Sequence, residues 1–214
     1  MNVSRRHALV SKSVLFLALG MAVIPGLAVA QGPTSTNPVM GSPPWPGRYP
    51  YTRADVEFIA GMISHHAQAI DMCGLAPTNG ANRSVGILCR RIINAQTDEI
   101  HIFQQWLKDR NQAVPEAKAV PMKMTMNGVE HEMLMPGMLT DEQMAELRAA
   151  QGVDFDRTFL KYMIGHHQGA IDMVNVLMSA PGAAQDDAVY KVSSDVFADQ
   201  TAEIDRMTQM LNAL

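Results

Sequence analysis

Behind Thr52, apolar residues recur at Val56, Ile59, Ile63 and Ile70, the three-to-four spacing that keeps one stripe of a helix out of water. Thr52 with Asp55 three residues on is an N-cap signature, so the helix is expected to begin there. A Gly, Pro and Asn-rich link over 74–86 separates it from a second helix near 86–110. On that helix Ile92, Gln96, Ile100, Phe103 and Leu107 share a face, with Glu99 at its border. From Val114 to Leu139 the period is lost. Thr140, with Gln143 at the third position, caps a short helix over 141–150. A long helix follows over 154–179, stopped by Pro181-Gly182, and a last one covers 185–212. No stretch alternates long enough to read as a strand. The pattern predicts an all-α fold: a four-helix bundle of two helical hairpins, with a long connection and a short extra helix.

The first thirty residues stand apart. Arg5, Arg6 and Lys12 flank an uncharged apolar run from Val14 to Ile24, Pro25-Gly26 breaks it, and Ala28-Val29-Ala30 supplies the small-x-small pattern read by signal peptidase. Residues 1–30 are therefore expected to be a cleaved export signal, with the mature chain starting at Gln31 and residing in the periplasm. That run is far shorter than the roughly 20 residues of a spanning helix, so no stable membrane insertion is expected. Ser4-Arg5-Arg6-His7-Ala8-Leu9 resembles a twin-arginine signal, but Ala8 replaces the usual aromatic or aliphatic residue. Both the twin-arginine and the general secretion route stay open. Residues 31–50 hold six of the twelve prolines and read as an extended leader, which leaves 51–214 as the bundle domain.

Within that domain the chain repeats itself. The stretch Phe58 to Met72 returns 101 residues later as Phe159 to Met173, with nine of fifteen positions identical, including both histidines and both methionines. The partner helices echo each other as Gln96-Thr97-Asp98-Glu99-Ile100 and Gln200-Thr201-Ala202-Glu203-Ile204. A duplicated hairpin implies a pseudo-two-fold bundle in which paired residues face each other. At about 100° per residue, Ile59, Met62, Ile63, His66, Ala69, Ile70 and Cys73 fall on one arc. His65 lies at its edge beside Phe58 and Met72; in the second copy His167 is central and His166 lies beside Met173. Asp71 and Asp172 project away, and Glu99 and Glu203 read as solvated helix positions, with core-edge carboxylates as the alternative.

The two His-His-x-x-Ala-Ile-Asp-Met stretches, together with Met135-Pro136-Gly137-Met138-Leu139-Thr140, resemble a family of exported bacterial proteins catalogued as a domain of unknown function. The resemblance covers residues 52–212. It implies a ferritin-like bundle that binds copper, as Cu(I) and also Ag(I), in metal tolerance or storage. His101 and Phe103 stand where the second copy has Asp205 and Met207, so the two hairpins need not be equivalent.

Composition points the same way. Fifteen of the seventeen methionines follow the signal, although Leu and Val specify a core better. A thioether is soft and has no proton to lose, so it takes Cu(I) or Ag(I) without competition from pH; imidazole suits both copper oxidation states, which admits Cu(II) as well. The candidate ligands on the helices are Met62, His65, His66 and Met72, with Met163, His166, His167 and Met173. A second set lies in the connecting segment 114–139: Met122, Met124, Met126, His131, Met133, Met135 and Met138. A loop normally avoids exposed Met, so ligation explains this set better than a hydrophobic lid does. Cys73 and Cys89 flank a short link, and outside the cytoplasm such a pair is more often a disulfide than a metal site; thiol ligation is the alternative.

Three of the 17 basic residues belong to the signal, leaving 14 against 21 acidic ones, and no basic stripe is interleaved with aromatics. Nucleic acid is thereby excluded as a partner. Metal ions are the expected ligands, with another periplasmic copper-handling protein as a delivery partner. Two rivals are kept. A di-metal oxidase would need inward Glu-x-x-His pairs, which the helices lack. A metal-independent helical adaptor or sensor would use its methionines as a partner groove. One mass spectrum of the unreduced exported protein tests both covalent expectations: residues 1–30 should be missing, and the mass should be lower by two hydrogens for a Cys73–Cys89 disulfide. An intact N-terminus, or two alkylatable thiols, would refute the corresponding reading.

Overall fold

In the computed structural model the described residues are 50–214 apart from 127 and 128, and the side chains of 122–131 lie outside the description. The expected signal and Pro-rich leader therefore fall outside it. Five helices are present: α1 (Arg53–Gly74), α2 (Arg83–Lys108), α3 (Asp141–Ala149), α4 (Gly152–Ser179) and α5 (Asp187–Asn212). Both capping boxes read from the sequence form, Thr52 with Asp55 and Thr140 with Gln143. α2 starts three residues before its expected position because Asn82 caps it, its side chain accepting from the amides of Ser84 and Val85.

The connection between the hairpins departs from expectation. Met122–Met126 (β1) and Val129–Met133 (β2) pair antiparallel, with Met122 opposite Met133 and Met124 opposite His131. Met-x-Met-x-Met is itself a period of two, and a five-residue run is long enough for a hairpin strand. The expected aperiodic loop is, in this part, a β-hairpin.

α1 packs on α2, α4 packs on α5, and the α1–α4 seam joins the two hairpins. At one end Arg110 pairs with Asp186, which also accepts from the Trp106 indole and caps α5. The apolar core is not continuous. One cluster holds Phe58, Ile59, Ile63, Phe103, Val174 and Val196; the other holds Met72, Ile92, Leu147, Phe155, Phe159 and Met163. On each long helix the break between clusters is occupied by buried polar residues: His65 and His66, Gln96, His166 and His167, and Gln200.

The segment after β2 is pinned over this layer. Gln68 of α1 holds the Leu139 backbone at both ends, donating to its carbonyl at 2.9 Å and accepting from its amide at 2.7 Å. On α4 the matching position is Gly169, where a Cβ would overlap the Pro136 carbonyl. Gly137, at φ 77°, sits so close that its own Cβ would stand 2.6 Å from the Gly165 oxygen. Upstream, the Ser64 hydroxyl meets the backbone of Lys118 and Val120. Gly169→Ala is expected to cost about 1–3 kcal/mol through overpacking, whereas Gln168→Ala on the exposed neighbouring position should stay within about 0.5 kcal/mol. Equal melting temperatures for the two variants would show that the segment does not rest on the helix.

Candidate metal centre

The repeat brings its histidines together at the α1–α4 seam. All four rings are buried, and those of His65 and His166 approach to 3.9 Å between centroids. His65, read as an edge residue, is as buried as His66, because the crossover segment covers the seam above it. Its Nε2 lies 3.0 Å from the Pro136 carbonyl. A carbonyl only accepts, so Nε2 carries the proton and Nδ1 is left with a free lone pair and no partner. No well-directed hydrogen bond reaches either ring nitrogen of His166, although the His65 backbone lies close enough to oppose, weakly, the effect of burial on its pKa. Burial, with the neighbouring His66 and His167, holds the His65 pKa down to about 3, and burial beside the other three imidazoles pushes His166 well below its ordinary value. Both are neutral at neutral pH, with nitrogen donors that need shed no proton to meet a metal.

The central histidines have different company. His66 Nε2 stands 2.7 Å from Glu99 Oε2 and His167 Nε2 stands 2.7 Å from Glu203 Oε2; the second pair is a well-directed hydrogen bond, while the first is off the hydrogen-bond direction. Glu99 and Glu203, read as solvated, are thus core-edge carboxylates. The echo of Gln96-Thr97-Asp98-Glu99 in Gln200-Thr201-Ala202-Glu203 was the available signal. It gains meaning only once α1 and α4 are seen to present histidines to it.

The methionines divide. Met62 and Met163 are wholly buried in the two apolar clusters, and so is Met72. Met173, its repeat mate, is only partly buried and lines a pocket of about 420 Å³ together with Met133, Met135, Phe58 and Pro136. Three thioethers from two separate candidate sets therefore border one pocket. Pro136 is common ground between this pocket and the His65 contact. Met138 is buried beside the Gln68 clamp. Met122, Met124, Met126 and His131 are placed in register by the hairpin, and their side chains lie outside the described residues. Cys73 and Cys89 stand as buried free thiols hydrogen-bonded to one another rather than as the expected disulfide. Burial, then that contact, pushes the Cys73 thiol well up, which opposes thiolate ligation there.

Residues 55–211 match the family described as DUF305, domain of unknown function. The chain belongs to this family. Among solved structures it is similar to a DUF305 fragment from Deinococcus radiodurans, at 25% identity and a TM-score of 0.64, covering 78% of this chain and 100% of that one. It is similar also to CopM in its Cu(I)-bound form, at 28% identity and a TM-score of 0.57, covering 74% of this chain and 96% of CopM. CopM has further been solved with Cu(II) and with Ag. No curated protein sequence matches the chain. Among the described residues of this DUF305 chain, no three His, Cys, Asp or Glu side chains converge to hold an ion by themselves, and no helix is long and apolar enough to cross a membrane.

The depressed histidines make the bundle acid-sensitive. Unfolded, His65 binds its proton near the ordinary 6.5; folded, only near 3. Between those values the unfolded chain holds more protons, so the stability present above 6.5 is lost as pH falls toward 3, and His166 acts in the same direction. The apo melting temperature should fall across this window, less steeply in His65→Gln/His166→Gln. An equal slope in that variant would assign the acid sensitivity to carboxylates.

Proposed function

We propose that this DUF305 protein binds Cu(I) and Ag(I) outside the cytoplasm, buffering or storing soft metal rather than catalysing a reaction. The observation that carries the reading is the pocket bordered by Met133, Met135 and Met173, one wall of which is Pro136, whose carbonyl also meets His65 of the neutral His65–His166 pair. Thioether and imidazole donors select Cu(I) and Ag(I) over Zn(II), Mg(II) or Ca(II), and the buried nitrogens without partners are the kind of vacant donor that a metal satisfies. The fit extends to CopM, whose structures hold those same two ions. His65 Nδ1 and the His166 nitrogens would supply the uncharged nitrogen donors, and the three methionines a flexible sulfur set on the solvent side. The lining there is soft and largely apolar, with Glu57 as its one charged residue.

The chain's own residues prepare this site in definite ways. Pro136 fixes the His65 tautomer through its carbonyl. Gln68 and Gly169 hold Met135 over the seam. Export by the N-terminal signal, and hand-over to another periplasmic copper protein, belong to the same reading.

Anaerobic Cu(I) titration against a competing chelator tests it. Met133→Leu/Met135→Leu/Met173→Leu keeps the apolar volume and deletes the sulfurs, so Cu(I) affinity should drop at least tenfold with helicity unchanged. His65→Gln/His166→Gln should also weaken binding. Wild-type Cu(I) binding in both variants would reduce the pocket to an apolar surface of the adaptor type.

A further inference from the structure

The α2–α5 side of the bundle carries a second constellation that contains no sulfur. α2 and α5 share no extensive backbone contact, and the cleft between them, about 270 Å³, is bordered by Gln96, Glu99, Gln200 and Glu203. Two arginines, Arg91 and Arg206, stand at its rim with Asp199.

The glutamines are the unexplained part. Gln96 is 2% exposed and Gln200 3% exposed, yet neither Gln96 amide atom nor the Gln200 Oε1 has a hydrogen-bond partner. Leaving such atoms unsatisfied costs about 1–3 kcal/mol each, and leucine would fill the same space without that cost. Each glutamine precedes, by one helical turn, the glutamate that meets a buried histidine. The duplication thus gives, twice over, a cleft-lining glutamine one turn before a glutamate that meets a buried imidazole Nε2.

We propose that this cleft binds a borderline divalent cation, of the Cu(II), Zn(II), Ni(II) or Co(II) class, through His66, Glu99 and Gln96 in one half and His167, Glu203 and Gln200 in the other. Each His–Glu pair, at 2.7 Å, puts an imidazole nitrogen and a carboxylate oxygen in one place, and a divalent ion bound there would take the position of the proton that His167 donates to Glu203. His, Cys, Asp and Glu alone nowhere converge in threes among the described residues, so the proposed sets draw on Gln96 and Gln200, which line the cleft with Glu99 and Glu203. Mixed nitrogen and oxygen donors open to water suit borderline divalent ions and discriminate against Cu(I), which separates this cleft from the thioether pocket on the opposite seam.

Co(II) is the probe, because its visible spectrum distinguishes nitrogen and oxygen ligands from sulfur. The mature full-length protein should take up Co(II) saturably with d–d bands and no sulfur charge-transfer band. Glu99→Gln/Glu203→Gln, which keeps side-chain shape, should weaken Co(II) by at least about tenfold, the lower range for disturbing a metal site. Gln96→Leu/Gln200→Leu should weaken it likewise while leaving the apo fold as stable or more so, and it decides the matter if the glutamate variant fails to fold. The three-Met→Leu variant should bind Co(II) as the wild type does, so failure of the Cu(I) reading leaves this test intact. Absence of Co(II) binding by the wild type, or wild-type Co(II) affinity in the Gln→Leu variant, would overturn the proposal and leave the amides as hosts for water alone.

Discussion

The bundle is organised around a polar layer that its apolar core cannot absorb. Two histidines from α1, two from α4 and one glutamine each from α2 and α5 cross the interior at one level and divide the hydrophobic residues into two clusters. Buried polar groups normally find partners, and here several do not. What partners exist come from outside the four-helix core: the Pro136 carbonyl above the seam, and Glu99 and Glu203 at the edge of the cleft. The crossover connection is held on α1 and α4 for the same reason, since only a backbone brought there can reach His65.

Duplication supplied the layer, and divergence made its two sides different. Position 68 became a glutamine that grips the Leu139 backbone, while its mate at 169 became a glycine on which Pro136 rests. Position 64 is a serine that ties down Val120, and 165 is a glycine under Gly137. One asymmetric connection can satisfy a symmetric pair of helices only if equivalent positions offer unlike contacts. Met72 and Met173 diverged in environment rather than identity. The first is sealed in the core, and the second is partly buried and borders the pocket with Met133 and Met135 of the crossover segment.

This asymmetry sorts donors by softness. On the seam side, the crossover segment that carries thioethers also meets a neutral imidazole through Pro136; on the cleft side, imidazoles meet the carboxylates of Glu99 and Glu203. One helix presents both, because adjacent residues such as His65 and His66 point about 100° apart. A His-His pair at the middle of a bundle helix can therefore serve two chemically distinct surroundings at once.

Helix periods, capping boxes and the Gly and Pro breaks were enough to place five helices and pair them as hairpins, since these are local rules of short range. The repeat was enough to single out the four histidines, because copies of one hairpin must meet about an axis. Other features were decided by packing. The arc calculation put His65 at an edge, but a helix wheel does not contain the segment that lies over it. Glu99 and Glu203 read as solvated because their own helix exposes them in part, and only α1 and α4 bring the histidines that draw them in. The methionines shared one composition signal, and tertiary structure separated Met62, Met72 and Met163, buried among apolar neighbours, from Met133, Met135 and Met173 around a pocket. Sequence by itself determined which residue types were concentrated and on which helices; whether a given sulfur or nitrogen faces a partner, a pocket or the core depended on contacts between residues from 33 positions apart (His66 and Glu99) to 101 apart (His65 and His166), for which local periodicity carries no term.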